Sequence, residues 1–329
     1  MAMDEPETAA PRKRIVSLDQ FRGFAIFSMI LVNYFGIFEA SPWIVKHHRL
    51  GVSFADLVAP LFIFAVGIGF RLSLRRRMAT NGPQAAYRHA VRRYLILVGL
   101  GILYGGFNFQ VSVWDALTHI GCAGLIALPV ITRGVWARLG LAVCCLGAYQ
   151  ALYSLTGYGA WVLDHSINGG PAGPLSWAFP LLLGTLVWDA ISAGNLRAGM
   201  FRCGAWGLGL LALGVAAHIS WGDVKPAWPF TQYGMTAPYV LGATGASFLL
   251  FATFHVLCDG LGLHLPHLST LGRNPLVLYL VQAVLVLVCR LTLPHGMFWP
   301  WTVFGFLVVY SICYGVAWWM WRTGRTLRI

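Results

Sequence analysis

WIVKHHRLGVSFADLVAPLFIFAVGIGF, residues 43–70, joins a charged, histidine-bearing loop directly to an apolar run that still carries Asp56. An ionisable side chain in or beside a bilayer span is expensive and marks a functional site by default. The stretch therefore reads as the start of a transmembrane helix with chemistry at the membrane face where it begins. Outward from it, hydrophobic residues make up 58% of the 329-residue chain and charged residues only 10%. A soluble domain is about a quarter charged, so lipid is the solvent this chain is built for.

Runs of roughly 20 apolar residues, the length that crosses a bilayer, recur along the sequence. They predict an all-α, polytopic integral membrane bundle of about ten transmembrane helices. The spans lie near 20–38, 53–74, 93–110, 113–132, 137–156, 174–193, 200–219, 237–259, 275–293 and 301–321. A single transmembrane domain over 17–321 then fills nearly the whole chain, between a polar tail at 1–16 and a basic tail at 322–329. The first apolar run reads as a retained span rather than a cleaved signal, because Asp19, Arg22 and Asn33 stand at its ends.

The formal net charge of +12 raises nucleic acid or anionic lipid as partners. Its distribution argues against nucleic acid. With the N-terminus inside, 19 of the 23 Lys and Arg fall on the inner side, leaving Lys46, Arg49, Lys225 and Arg290 outside. That is the positive-inside pattern. It predicts both termini in the cytosol and accounts for the basic balance by topology. The cysteines form no C-x-x-C pair and lie almost entirely in spans, so they read as small buried hydrophobes, and no metal is expected.

Depth then sorts the polar residues. Asn33 follows Asp19 by 14 positions, about 21 Å along a helix, which puts it toward the outer face. His47 and His48 lie in the outer loop and Asp56 just inside the second span. Asp115 and His119 are four residues apart and share a face of the fourth. These groups are expected at one outer-leaflet pocket. Histidine shuttles protons near neutral pH, a carboxylate orients it, and an Asn amide holds a nucleophile or donates to an oxyanion. Blander roles stand beside these: Asp56 as a helix cap, Asp115–His119 as a structural pair, His48 as solvated loop. At the inner side, Arg22, Arg75, Arg92, Arg93 and Arg273 crowd neighbouring span ends. Topology explains most of them, and a subset suits forked phosphate binding. Asn274–Pro275 reads as N-cap and first residue of the ninth helix, a helix start that also favours an anion.

These residues carry a resemblance to the heparan-α-glucosaminide N-acetyltransferase family of transmembrane acyltransferases. SLDQFRG (17–23), LVNY (31–34), WIVKHH (43–48) and ADLVAPLFIFAVG (55–67) are similar to that family's segments in order; DALTHIG (115–121) and LGRNPLVLYL (271–280) are similar more loosely. The resemblance implies an enzyme of the bacterial cytoplasmic membrane that takes acetyl from cytosolic acetyl-CoA. It delivers the group to an amine, an amino sugar or glycan, on the far side. It implies that Asn33 and His47 are the active-site pair; direct transfer with His47 as general base and Asp56 orienting it is the mechanism expected on that pair. Membrane lipid is the surround, and a homodimer is the commonest default assembly. A second class stays open: a proton-coupled transporter with Asp56, Asp115 and His119 as relay.

Overall fold

Ser53 and Asp56 start the helix on which the site is built. Ser53 is the N-cap of α2 (Phe54–Asn81), and its backbone N–H donates to Asp56 Oδ2 at 2.8 Å, closing a capping box. The helix stops at Gly82, whose φ of +80° favours glycine. Pro83, pre-set for a first helical position, opens α3 (Pro83–Tyr104). The computed structural model describes residues 15–49, 51–192, 195–218 and 228–327, and every regular element among them is helical. The expected tail as far as residue 14, Lys225 and Arg328 lie outside the described residues.

The remaining helices are α1 (Val16–Phe35), α4 (Ala116–Ala127), α5 (Val135–Leu155), α6 (Tyr158–His165), α7 (Gly173–Ile191), α8 (Leu196–His218), α9 (Ala237–Phe254), α10 (Pro266–Leu271), α11 (Pro275–Thr292) and α12 (Trp299–Arg322). Among the described residues, seven helices are long and apolar enough to cross a membrane: α2, α5, α7, α8, α9, α11 and α12. This is a polytopic integral membrane protein. The expected spans at 20–38, 93–110 and 113–132 fall on α1, α3 and α4. Two of them differ from expectation. The helix α3 starts ten residues early, so Arg88, Arg92 and Arg93 ride on its first half. Its neighbour α4 has only 12 residues, about 18 Å. It gives way to turns at Leu128, next to Pro129, whose ring cannot supply the N–H that a continuing helix would use.

The buried centre is α7 with α2 and α9 against it. In lipid no hydrophobic drive holds helices together, and small residues let backbones approach for dispersion contact. A Cβ on Gly184 would stand 2.3 Å from the Phe64 carbonyl oxygen, and one on Gly67 2.0 Å from that of Leu181. The α2–α7 crossing thus depends on both glycines. At the arginine-rich end, Asp189 of α7 accepts from Arg71 Nε of α2 at 2.8 Å and also from the Arg138 guanidinium of α5. Arg138 donates further to Thr185 Oγ1 at 2.8 Å, and Arg71 to the Ile131 carbonyl. With both arginines almost wholly buried, this network locks three helices together. Arg71 is thereby a structural residue.

One substitution made at two glycines separates crossing from propensity. Gly184→Ala is expected to lower the unfolding midpoint of the detergent-solubilised protein, by an overpacking cost of about 1–3 kcal/mol. Gly147→Ala on α5, where a Cβ meets nothing within 4 Å, is expected to leave it unchanged or raise it, since Ala favours helix over Gly. Thermal melts of the two variants check this.

Candidate active site

His47 Nδ1 lies 2.8 Å from Asp56 Oδ1. The carboxylate is fully buried and the imidazole about one-third exposed. An ionised carboxylate only accepts, so the proton sits on Nδ1 and the lone pair of Nε2 is free. The loop that carries His47 is tied down on both sides. Ser53 Oγ donates to the Lys46 carbonyl at 2.7 Å, and Gly51 N–H donates to the Phe230 carbonyl at 3.0 Å. Tyr239 of α9 donates to the Asp56 carbonyl at 2.6 Å. Asp56 is therefore helix cap and histidine partner at once.

His47 faces a cavity of about 470 Å³ together with Asn33 of α1, Asp115, and Tyr279 and Gln282 of α11. Asn33 Nδ2 donates to Gln282 Oε1 at 3.2 Å. Asp115 caps α4 through Oδ1, which accepts from Ala116 N–H at 2.7 Å, and its Oδ2 accepts from the Tyr279 hydroxyl at 2.9 Å. The loops bring further amides. Asn168 and Gln232 line the cavity, with Gln232 Nε2 donating to Asn168 Oδ1 at 3.1 Å.

Two expected members stand apart. His119 is fully buried behind the cavity, with Nε2 3.1 Å from the Trp114 carbonyl and its ring stacked on Trp177. Asp115 sits at the helix cap, so the two do not form a side-chain pair despite their four-residue spacing. His48 stacks on Trp43 and bonds its carbonyl, on the loop exterior.

A second cavity of about 630 Å³ opens at the arginine-rich end, lined by Arg22, Arg76, Arg77, His89, Arg93, Arg273 and Asn274. Arg75 and Arg92, expected here, do not line it. Helix phase explains both. The α2 stripe that faces the cavities runs through Phe62, Val66, Gly69, Ser73 and Arg76, and the α3 stripe through His89, Arg93 and Leu97. Arg75 and Arg92 are each one position, and so about 100°, off these stripes. Gly69 leaves room for the Arg22 guanidinium: a Cβ there would fall 1.8 Å from it and displace the tip of that side chain. Asn274 occupies the N-cap position of α11, but its amide bonds the Arg325 carbonyl and Leu327 N–H of the C-terminal segment instead of capping the helix. Burial, then the charges of Arg77, Arg93 and Arg92, hold His89 below the ordinary histidine pKa.

Phe62 and Tyr279 line both cavities. One stripe of α2 from Ala55 to Arg77 walls the two in succession, a length of about 33 Å, enough for the roughly 30 Å hydrocarbon core. Sequence reading overlooked Tyr279 and Gln282. The available signal was a hydroxyl and an amide three residues apart within an apolar span.

The fold and these two chambers define a helical membrane protein with a carboxylate-held imidazole at one face and an arginine-lined chamber at the other. The model of a family described as heparan-alpha-glucosaminide N-acetyltransferase, catalytic, matches residues 14–184. The chain belongs to that family. It is 42% identical over 145 residues to the human heparan-alpha-glucosaminide N-acetyltransferase, covering 43% of this chain and 20% of the human one. It is 32% identical over 123 residues to an uncharacterized 39.9 kDa protein of Bacillus acidopullulyticus, covering 36% and 34%. A cytosine permease of Escherichia coli O157:H7 is 29% identical over 178 residues, covering 54% and 35%. The chain thus spans about a third or less of the length of these curated relatives.

Proposed function

We propose that the protein transfers an acetyl group from acetyl-CoA, bound from the cytosol, to an amine on an amino sugar at the opposite membrane face. The observation that carries this reading is the pair of chambers with Phe62 and Tyr279 in common, one lined by arginines and the other by His47 and Asn33. The CoA phosphates engage Arg22, Arg93 and Arg273, and the pantetheine arm runs along the α2 stripe. Its reach is shorter than the roughly 30 Å core, which leaves the thioester part-way across.

The chemistry follows from the tautomer. The acceptor nitrogen attacks the thioester carbonyl carbon while His47 Nε2 takes the amine proton. Asp56 stabilises the imidazolium that forms, and an Asn33 N–H donates to the oxyanion. The C–S bond then breaks, and the imidazolium returns its proton to the departing thiolate. The products are the N-acetylated sugar and free CoA. An alternative order has Nε2 itself accept the acetyl group first; radiolabelled acetyl-protein trapped without acceptor distinguishes it.

The likeness to a cytosine permease favours a second reading, transport, which the carboxylates and histidines near the cavity would couple to protons. A relay through Asp115 and His119 is poorly served by a His119 ring packed outside the cavity. Thioester consumption by purified protein, set against substrate uptake into sealed vesicles, decides between them.

His47→Ala is expected to lower acetyl transfer by about 10²-fold or more with acetyl-CoA affinity retained; a wild-type rate would remove His47 from the mechanism. Asp56→Asn is expected to lower kcat while leaving the acetyl-CoA KM in place, because the imidazole loses its orientation and not its pocket.

His89 gives a pH test. Its pKa is depressed by burial and by the neighbouring arginines. A bound phosphate offsets those charges and raises it again. Donor binding is therefore expected to take up protons, and affinity to rise as pH falls below the ordinary histidine range. Calorimetry in buffers of different ionisation enthalpy measures the uptake. His89→Gln should abolish it.

A further inference from the structure

The chamber that holds His47 has an open flank. Its lining runs out along α11 through Gln282, Val286 and Leu287 to Arg290, and faces Tyr104 of α3. Among the described residues α11 packs on α1 and α12, and α3 on α2 and α4, with no packed face between α3 and α11. The two sides approach where Tyr104 and Tyr279 stand edge to face, ring centroids 6.1 Å apart; Tyr279 also donates to Asp115, the N-cap of α4. The lips of this slit are apolar and bare: Leu103 is 63% exposed, Tyr104 48%, Leu287 55% and Leu291 76%. In a membrane they meet acyl chains. Arg290 stands at the outer end of the slit, exposed and lining the chamber, with no carboxylate in ion-pair reach among the described residues.

Resting on the acetyl-transfer reading above, the geometry points to a lipid-carried acceptor: an amino sugar joined through phosphate to a long hydrocarbon chain, entering sideways from the bilayer. The sugar reaches the amide-lined chamber, where Asn33, Asn168 and Gln232 match hydroxyls and His47 meets the amine. The phosphate pairs with the Arg290 guanidinium at headgroup depth, forked as such pairs prefer. The hydrocarbon lies on Leu287 and Leu291, already in lipid, so binding requires no transfer of the chain into water. A water-soluble sugar uses the chamber and none of the slit. Charge complementarity at Arg290 and continuity between chamber and lipid-facing lips set this acceptor apart from a soluble one.

The test uses the full chain in nanodiscs with acetyl-CoA and three acceptors: glucosamine, glucosamine 1-phosphate, and glucosaminyl phosphate on a polyprenyl chain. The lipid-linked acceptor is expected to exceed glucosamine 1-phosphate in kcat/KM by about tenfold or more, the gain in effective concentration from retention in the membrane, since both carry the phosphate; glucosamine 1-phosphate is expected to exceed glucosamine by the Arg290 contact. Arg290→Gln is expected to raise KM for the lipid-linked acceptor about tenfold, with recovery in Arg290→Lys. Leu287→Trp, which fills the slit, is expected to remove the preference for the lipid-linked form. Acetyl-CoA binding at the distant arginine chamber reports that each variant is folded. Equal use of glucosamine 1-phosphate and its lipid-linked form, or acetylation of soluble sugars alone, would overturn the inference and leave acetyl transfer standing. Acetylation of none of the three would overturn both.

Discussion

The buried Asp56 carboxylate is the contact on which the rest of the site depends. A charge taken out of water is costly unless its lone pairs are matched by donors. Here Ser53 N–H and His47 Nδ1 supply them, each at 2.8 Å. The same two bonds start α2 and fix the imidazole, so helix register and histidine orientation are one constraint. Because α2 runs unbroken from Phe54 to Asn81, that register carries through to the stripe of Phe62 and Gly69 that reaches the arginine chamber. The Tyr239 bond to the Asp56 carbonyl then joins this constraint to α9, and the glycine crossing joins it to α7.

Opposed chemistry at the two faces follows from ordinary membrane rules bent at a few positions. Arginines crowded at one set of helix ends satisfy the positive-inside pattern whether or not they touch a ligand. Some of them line a chamber, where Gly69 leaves room for the Arg22 guanidinium. Arg71, two residues farther along, is consumed by Asp189 and the Ile131 carbonyl instead. Neighbouring arginines of one helix thus divide between holding the bundle and lining its cavity, according to where 100° of rotation per residue points them.

The sequence made most of the bundle legible, because a run of apolar residues long enough to cross lipid has few other uses. Asn33, His47 and Asp56 were legible for the converse reason: polar groups at span ends are costly to keep. The short α4 was not, since hydropathy does not register where a helix gives way to turns beside Pro129. Nor was the choice of Arg93 over Arg92, which depends on helix phase that a block of adjacent charges conceals. His119 misled because four-residue spacing implies a shared face only inside a helix, and Asp115 is its cap, with extended backbone. Asn168 and Gln232 lie in separate loops, and only the tertiary fold brings them to one wall.

A path lined from both sides of a bilayer raises the problem of electrical leakage. Moving one elementary charge down 100 mV releases about 2.3 kcal/mol, so an open water column through such a molecule would discharge the membrane. The side chains common to the walls of the two chambers are a phenyl ring and a phenol whose hydroxyl donates to Asp115. A phenyl ring and a phenol already engaged with Asp115 offer a hydrated ion little to replace its water, so the junction they wall is where ion passage meets the most resistance while an acyl group does not.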